Sequence, residues 1–282
     1  MPGTLYLVAT PIGNLEDITL RALRILKEVD LVAAEDTRHS RKLFNHYGIT
    51  TPLTACHQHN EEGKGEQLLR QLQEGKSIAL ISDAGTPAIS DPGFLLVRLC
   101  RNAGVAVTAV PGPSATVAAL SISGLPVDRF AFDGFLPAKS SARREAFRRL
   151  RHEERTVLFY EAPHRLAASL NDLVLELGGE REVAVARELT KIHEELFRGT
   201  AAAVREHFGR EKVRGEMVLM VAPAPPPPPP TETVAAALTR VAAETGLPMK
   251  GVVKLVAKAF GLPGDEVYKA ALAMKEGKGK KG

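Results

Sequence analysis

Cysteine is scarce in this chain, with only Cys56 and Cys100 among 282 residues. Two cysteines provide neither a disulfide framework nor the ligand spacing of a zinc site. No apolar run is long enough to cross a bilayer, and the start, MPGTLYLVATPIG, lacks the basic region of a signal peptide. We therefore expect a protein of the reducing cytoplasm that does not enter a membrane.

Two common nucleotide-binding motifs are missing from the first turn of the chain. An apolar run at residues 5–9 leads into the turn TPIGN, and apolar residues then recur at helical spacing over residues 19–29. The turn does not contain G-x-G-x-x-G, and no G-K-[ST] follows it. A dinucleotide fingerprint and a P-loop are therefore excluded here.

Length and composition indicate a two-domain globular protein with an appendage. Apolar residues make up 44% and charged residues 25% of the sequence. The tract APAPPPPPP at residues 222–230 can only be a stiff, extended spacer, so it marks a boundary. We expect an N-terminal α/β domain at residues 1–112, a C-terminal α/β domain at 113–222, a proline-rich linker at 223–232 and a small basic helical domain at 233–282.

Apolar spacing in the last segment predicts three short helices, at residues 234–243, 251–260 and 265–274. Glycine and proline separate them. We expect the terminal KEGKGKKG to be disordered, because it is polar and rich in glycine.

Positive charge is concentrated in two segments, although the net charge is only +4. Residues 139–155 hold 7 Lys and Arg against 3 Asp and Glu, and residues 231–282 hold 9 against 5. Clustered cations of this kind favour nucleic acid, because binding releases counterions from the phosphates. The alternative is a solvated helix face and a charged tail.

The stretch ISDAGTPAISDPG at residues 81–93 organises the rest of the chain. An apolar strand enters it at residues 78–81, and helical spacing resumes at residues 94–100. A strand, a Gly- and Pro-rich turn and a helix form a typical ligand site at the carboxyl edge of an open α/β sheet. A tight connection without a ligand is the alternative.

Polar residues follow four other predicted strands. The apolar runs at 31–34, 105–110, 157–160 and 183–186 lead into EDTR, PGPSA, EAPHR and RELTK. These turns predict two rows of functional groups that could face each other. Asp36 equally suits a helix cap, Ser114 can cap a helix at residues 115–123, and an ion pair alone could explain Arg187 beside Glu188.

Two further clusters have more than one interpretation. His57 and His59 beside Cys56 suggest a metal, but no second ligand cluster of suitable spacing exists in the sequence. A polar active-site loop and a plain surface loop are the alternatives, and we expect no metal. Arginines at positions 144, 148, 151 and 155 fall on one side of a predicted helix, with Phe147 and Leu150 on another. Next to a cleft, such a stripe would hold phosphates.

Nine motifs, in order, resemble one known family. They are VATPIGNLEDIT, AEDTR, HNE, ISDAGTPAISDPG, VPGPSA, GFLPAK, FYEAPHR, RELTK and GEMVLMV. The sequence is similar to the ribosomal small-subunit RNA 2′-O-methyltransferase I family, which belongs to the tetrapyrrole-methylase-like (class III) superfamily of S-adenosylmethionine enzymes. The likeness covers about residues 3–222, and the tail resembles a small helical domain that many members append.

The resemblance implies an α/β fold of two domains with S-adenosylmethionine in the cleft between them and no metal. It implies methyl transfer to the ribose 2′-hydroxyl of a decoding-region cytidine in 16S rRNA, within the small ribosomal subunit, by a homodimer. The cofactor contacts that it implies are Pro11, Asp83, Ala84, Gly85, Ile89, Ser114, Ala115, Tyr160, Glu161, Ala162 and Leu189.

A ribose hydroxyl is a poor acid, so the reaction needs a base or a cation that favours the alkoxide. The candidates at strand ends are Glu35, Asp36, Glu61, Glu188 and Lys191. We favour Glu188, with Lys191 or Arg187 as its electrostatic partner. The RNA-binding residues that we expect are Lys139, Arg144, Arg148, Arg151 and Arg165.

Two other functions remain compatible with the sequence. A tetrapyrrole (precorrin-type) C-methyltransferase would share the cleft and the cofactor but has no use for the basic segments. A non-catalytic RNA-binding module would use the basic segments and leave the cleft motifs without a purpose.

Overall fold

Short apolar strands build a first sheet near the amino terminus. The computed structural model describes residues 2–58, 60–209, 214–225 and 232–279. The strands of this sheet run parallel in the order β3-β2-β4-β1-β5. Their carboxyl ends therefore meet at one edge. The strands are β1 (Thr4–Val8), β2 (Leu31–Ala34), β3 (Leu53–Ala55), β4 (Ile78–Ile81) and β5 (Ala106–Val110).

Helices cover both faces of this parallel sheet, as its buried strands require. Two of them begin with side-chain caps, in which Thr19 accepts a hydrogen bond from Ala22 N and Asp36 accepts one from Arg38 N. The cap at Asp36 confirms one of the two roles considered for it. The helices are α1 (Leu20–Glu28), α2 (Thr37–Tyr47), α3 (Glu61–Gln73) and α4 (Phe94–Asn102).

A second sheet follows, with mixed strand directions. Its order is β6-β7-β10-β8-β9, where only the β6–β7 pair is parallel. The strands are β6 (Phe130–Phe135), β7 (Thr156–Glu161), β8 (Glu182–Arg187), β9 (Glu195–Thr200) and β10 (Met217–Val221), and the helices are α5 (Ala115–Ser123), α6 (Ser140–Arg149), α7 (Pro163–Leu177) and α8 (Ala201–Gly209).

Helix α5 connects the two sheets. It follows β5 of the first sheet, yet Ala119 and Leu120 pack in one core with residues of the second. Ile12, from the turn after β1, belongs to the same core. Apolar side chains from the first sheet's connections therefore pack against the second sheet. Both sheets lie in the compact unit Met1–Ala224.

The described part of the second compact unit, Pro225–Gly282, is mainly helical. Helices α9 (Val234–Thr245), α10 (Met249–Phe260) and α11 (Gly264–Gly279) enclose a core that includes Leu238, Val252, Val256 and Val267. The predicted disorder of residues 275–282 is wrong as far as Gly279, because α11 continues to that residue. Most of the proline tract, at residues 226–230, lies outside the described residues, so its stiffness stays a prediction.

Three details differ from the sequence predictions. The helix with the arginine stripe ends at Arg149 and passes into a 3-10 turn, Leu150–His152, so Arg155 lies beyond it. Ser114 occupies the position before α5, but its side chain makes no capping hydrogen bond. Strands β3, β6 and β9 were not predicted. Among the described residues, no helix is long and apolar enough to span a membrane.

A buried ion pair joins α6 to α7. The side chains of Arg143 and Asp172 are 5% and 14% exposed, and Arg143 Nε donates to Asp172 Oδ2 at 2.8 Å. Ser140 Oγ donates to the same carboxylate at 3.0 Å. Removing one partner of such a pair leaves an uncompensated buried charge, which is costly.

We expect Asp172→Ala to lower the free energy of unfolding by about 3 kcal/mol, because Arg143 then has no counter-charge. Urea titration followed by circular dichroism measures the change. Glu28→Ala is the matched control, since its pair with Arg24 is more than half exposed and should cost less than about 1 kcal/mol. Equal losses in the two variants would contradict the role assigned to burial.

Candidate active site

A cleft of about 400 Å³ lies where the turns of the first sheet face the second sheet. This volume is within the usual range for small-molecule sites. Its lining comes from both sheets: Ile12, Glu35, Asp83, Ala84, Gly85, Thr86, Ile89, Asp91, Ser114, Ala115, Phe135, Tyr160, Glu161, Ala162, Pro163, Ala186, Leu189, Glu216, Met217 and Val218.

Hydrogen bonds between neighbouring turns hold the first wall of the cleft. Thr10 N donates to Gly85 O at 2.9 Å, and Gly85 N donates to Thr10 O at 3.0 Å. The buried Thr10 hydroxyl donates to Ser82 O, and Thr86 Oγ1 donates to Pro113 O. The turns after β1, β4 and β5 are thereby joined. Gly85 has a φ of 79°, which suits glycine, and its missing side chain leaves the backbone open to a ligand.

The loop after Gly85 is strained. Ala88 and Ser90 have φ of 66° and 63°, in the left-handed region that non-glycine residues rarely adopt. Strained backbone of this kind clusters at ligand sites. Where the loop enters α4, Glu61 accepts hydrogen bonds from Gly93 N and Leu95 N, both at 2.9 Å. Glu61 therefore acts as a helix cap, which weighs against it as a catalytic base.

Aromatic side chains and a buried carboxylate form the second wall. Thr116 Oγ1 donates to the hydroxyl of Tyr160 at 2.9 Å, and Phe135 contacts the Tyr160 ring edge-on. Glu161 is 2% exposed and accepts hydrogen bonds from Arg165 Nε, Ser169 Oγ and Ala162 N. Glu161 is fully satisfied and rigid, so it shapes the wall and is not a free base.

The cleft is acidic. Five carboxylates belong to its lining, and none of the described lining residues is Lys, Arg or His. Burial, followed by the charge of Asp83, raises the pKa of Glu35. Burial, followed by the charge of Glu35, raises the pKa of Asp91 to about 6. Like charges brought together out of water favour a cationic ligand.

Glu188 and Lys191 form an ion cluster beside the cleft. Lys191 Nζ lies 2.8 Å from Glu188 Oε1 and 3.1 Å from Glu216 Oε2. Burial acts to raise the pKa of Glu188, but the hydrogen bonds from Lys191 and from Glu216 N outweigh it and hold the pKa below its ordinary value. Burial acts to lower the pKa of Lys191, but the hydrogen bonds to Glu188 and Glu216 outweigh it, so the pKa is raised above its ordinary value. The pair is charged at neutral pH.

The backbone of this cluster adopts a conformation that residues other than glycine rarely use. Glu188 and Thr190 have φ of 51° and 66°. A side chain at Gly215 or at Gly13 would collide with Glu188 or Lys191 respectively. Arg187 points to another partner, Glu195, at 2.8 Å. The structure therefore brings Glu188 and Lys191 together and separates Arg187 from them.

Ten of the eleven expected cofactor residues line the cleft. The exception is Pro11, which lines a neighbouring cavity of about 220 Å³. None of the three expected catalytic residues, Arg187, Glu188 and Lys191, belongs to the described lining of the cleft, although Leu189 from the same segment does. The sequence analysis missed Met217, the first residue of β10, and Glu216 just before it, because a buried apolar strand gives no signal that its beginning faces a ligand.

The predicted phosphate-binding arginines share one carboxylate. Arg144, Arg148 and Arg151 all approach Glu176, whose side chain is 3% exposed, within 2.8 to 3.3 Å. The guanidinium groups themselves remain about half exposed. Of the other expected RNA-binding residues, Lys139 is exposed and Arg165 pairs with Glu161.

The histidine loop was the one candidate for a metal site in the sequence. His59 lies outside the described residues, and no group of three His, Cys, Asp or Glu with metal-binding geometry occurs in the part of the chain that is described. Cys56 is buried, and burial raises the pKa of its thiol to about 11.

Comparison with known proteins identifies the fold. The family model for Tetrapyrrole (Corrin/Porphyrin) Methylases matches residues 4–205, and a model of the RsmI C-terminal HTH domain matches residues 228–275. A uroporphyrin-III-C-methyltransferase structure from Thermus thermophilus has a TM-score of 0.56 at 22% identity, covering 79% of this chain and 95% of its own. The methyltransferase CobJ has a TM-score of 0.60 at 17% identity, with coverage of 79% and 95%. These likenesses confirm the expected two-sheet α/β fold.

Sequence relatives are much closer than the structural ones. Proteins named ribosomal RNA small subunit methyltransferase I are 49% identical in Xylella fastidiosa, over 95% of this chain and 98% of the relative, and 50% identical in Escherichia coli O157:H7, over 96% and 95%. The protein of that name in Synechocystis is 53% identical over 79% and 80%. The resemblance read from the motifs is therefore confirmed, and the chain belongs to the ribosomal RNA small subunit methyltransferase I family, with the fold of the tetrapyrrole methylases.

Proposed function

We propose that this methyltransferase transfers a methyl group from S-adenosylmethionine to the ribose 2′-hydroxyl of a cytidine in the decoding region of 16S rRNA. The observation that carries the proposal is the acidic, ligand-sized cleft between the two sheets in a member of this family. The relatives at 49% to 53% identity carry an rRNA enzyme's name, whereas the tetrapyrrole enzymes match at 22% or less. This difference favours RNA over a tetrapyrrole as the substrate.

The cleft suits S-adenosylmethionine, which supplies an electrophilic methyl group from a sulfonium. A cation of this kind is favoured by Glu35, Asp83 and Asp91, whose charges are not neutralised by any cationic residue among the described lining. The open backbone at Gly85 and the ring of Tyr160 offer polar and apolar contact. A structural neighbour, the Thermus thermophilus uroporphyrin-III C-methyltransferase, was solved with S-adenosyl homocysteine, which supports this choice.

The charged pair beside the cleft provides the groups that the reaction needs. Lys191 carries a positive charge, which stabilises an alkoxide as the hydroxyl loses its proton. Glu188 holds that ammonium in place and can accept the proton, although its low pKa makes it a weak base. We assign Lys191 the electrostatic role and Glu188 the role of its partner and proton acceptor.

The exposed guanidinium groups around Glu176, with Lys139 and Arg165, would hold the RNA backbone. A shared buried carboxylate orients Arg144, Arg148 and Arg151 before any RNA arrives, so fewer rotamers are lost on binding. The natural substrate on this proposal is the small ribosomal subunit or its RNA, in the cytoplasm, and the enzyme acts as a homodimer.

The direct test is a ribose-methylation map. Small subunits from a strain lacking the modification are incubated with enzyme and S-adenosylmethionine, and the rRNA is hydrolysed in alkali. We expect one alkali-resistant linkage in the decoding region. If a control methyltransferase gives its own resistant linkage in the same experiment and this enzyme gives none, the result contradicts the proposal.

Acid should weaken cofactor binding. The pKa of Asp91 is raised to about 6, so Asp91 takes up a proton as the pH falls from 7 to 5, and the cleft loses a negative charge. We expect calorimetry to show affinity for S-adenosylmethionine falling about tenfold over this range. Asp91→Asn should bind more weakly at pH 7 with a flatter pH profile, whereas the exposed Asp17→Asn should behave like the unchanged protein. A flat profile in the unchanged protein would count against the prediction.

Lys191→Met should reduce turnover about a hundredfold, because the alkoxide loses its nearby positive charge. Single-turnover methylation of small subunits measures the rate, and calorimetry should show unchanged cofactor affinity. Lys191→Arg keeps the charge and should recover part of the rate, which a purely structural role would not predict. A rate in Lys191→Met equal to that of the unchanged enzyme would remove Lys191 and its partner Glu188 from the mechanism.

The arginine cluster should contribute to RNA affinity. Replacing Arg144, Arg148 and Arg151 alone would leave Glu176 buried without a partner, so the test places all three Arg→Gln changes in a Glu176→Gln background. Relative to Glu176→Gln alone, we expect weaker rRNA binding. The slope of log binding constant against log salt concentration should also be shallower by about 2. Filter binding at several salt concentrations measures both, and cofactor affinity serves as the folding control. Identical slopes would exclude these arginines from the interface.

A further inference from the structure

Helix α2 presents a cationic face that the sequence analysis did not identify. Its exposed residues include Arg38, His39, Arg41, Lys42 and His46, which recur at helical spacing. The opposite side of α2, with Leu43 and Phe44, is buried in the core of the first sheet. We call the five exposed residues the α2 face.

The cations of the α2 face are less neutralised than those of α6. Arg41 and Lys42 have no carboxylate within ion-pair distance among the described residues, whereas Arg148 lies between Glu145 and Glu176. Within the α2 face only Arg38 has an ion-pair partner in the described chain, Asp36, and its side chain is still 90% exposed. Unpaired cations release more counterions from a polyanion than paired ones do.

The position of α2 connects this face to the reaction site. The helix begins at Thr37, two residues after Glu35 of the cleft lining. His39 and Lys42 line the smaller cavity of about 220 Å³, together with Pro11. Asp83 lines both that cavity and the cleft. The α2 face therefore starts at the rim of the cleft.

We propose that the α2 face binds the phosphate backbone of the substrate RNA, on the side of the cleft formed by the first sheet. This inference rests on the proposed rRNA substrate. A nucleotide in the cleft has RNA on both sides of it, so a backbone held only on one side of the cleft would be free to pivot. Phosphate contacts from α2 fix its register, with Lys42 and His39 meeting the phosphates nearest the cleft.

The test compares two double variants that remove the same charge. Arg41→Gln with Lys42→Gln alters the α2 face. Arg70→Gln with Arg101→Gln is the control, because both residues are exposed and lie in the last turns of α3 and α4, at the sheet edge away from the cleft. Binding of a protein-free 16S rRNA transcript and of unmethylated small subunits is measured across salt concentrations, with calorimetry of S-adenosylmethionine as the folding control.

We expect the α2 double variant to bind the transcript about tenfold more weakly. The slope of log binding constant against log salt concentration should become shallower by about 1.5 in this variant and stay unchanged in the control. Equal losses in both variants, or none in either, would overturn the proposal. A loss seen only with small subunits would also overturn it, because the partner would then be a ribosomal protein. Methylation by the unchanged enzyme is scored separately, so a failure of the proposed function is distinguishable from a failure of the α2 face.

Discussion

Two backbone hydrogen bonds between Thr10 and Gly85 hold the site together. They join the turns after β1 and β4, which are neighbours in a parallel sheet and would otherwise diverge at its edge. The connection requires backbone at Gly85 that can adopt a positive φ. Because Ile12 also packs in the core of the second sheet, the same turn sets the width of the cleft. Cleft geometry therefore depends on main-chain contacts more than on any single side chain.

Negative and positive charge lie in different places in the larger unit, one inside the cleft and the other outside it. The cleft lining holds carboxylates, whereas the exposed cations that we propose to contact RNA lie on α2 and α6 outside it. A cationic methyl donor and an anionic polymer have opposite requirements, and one surface could not serve both. Lys191 is the exception, since it carries a positive charge at the boundary, next to Glu216 of the lining. That boundary is where the hydroxyl of a polyanion would meet the methyl group of a cation.

Much of the fold could be predicted from the sequence, because buried parallel strands are short apolar runs. Strands β2 and β4 and helix α5 have the predicted bounds. Edge strand β9 was missed because only one side of an edge strand is paired, and its residues are only partly buried. The arginine stripe was predicted from spacing, but the partner that orients it, Glu176, is distant in sequence and invisible to periodicity. The ten expected cofactor contacts that line the cleft were named from the family resemblance, since local pattern alone predicted only the turns.

Several carboxylates near strand ends are already occupied in the structure. Asp36 caps α2, and Glu61 caps α4 with two backbone donors. Glu161 accepts from a guanidinium, a hydroxyl and a backbone N–H, so a further proton acceptor role would break a buried network. A catalytic base takes up a proton, and a carboxylate that caps a helix would weaken that cap by doing so. Among the strand-end candidates, this leaves Glu35 in the cleft and Glu188 at its boundary, where Glu188 accepts hydrogen bonds from Lys191 Nζ and Glu216 N through Oε1. Glu35 lies among other acids that suit a sulfonium, whereas Glu188 has an ammonium beside it, and only that second arrangement stabilises an alkoxide.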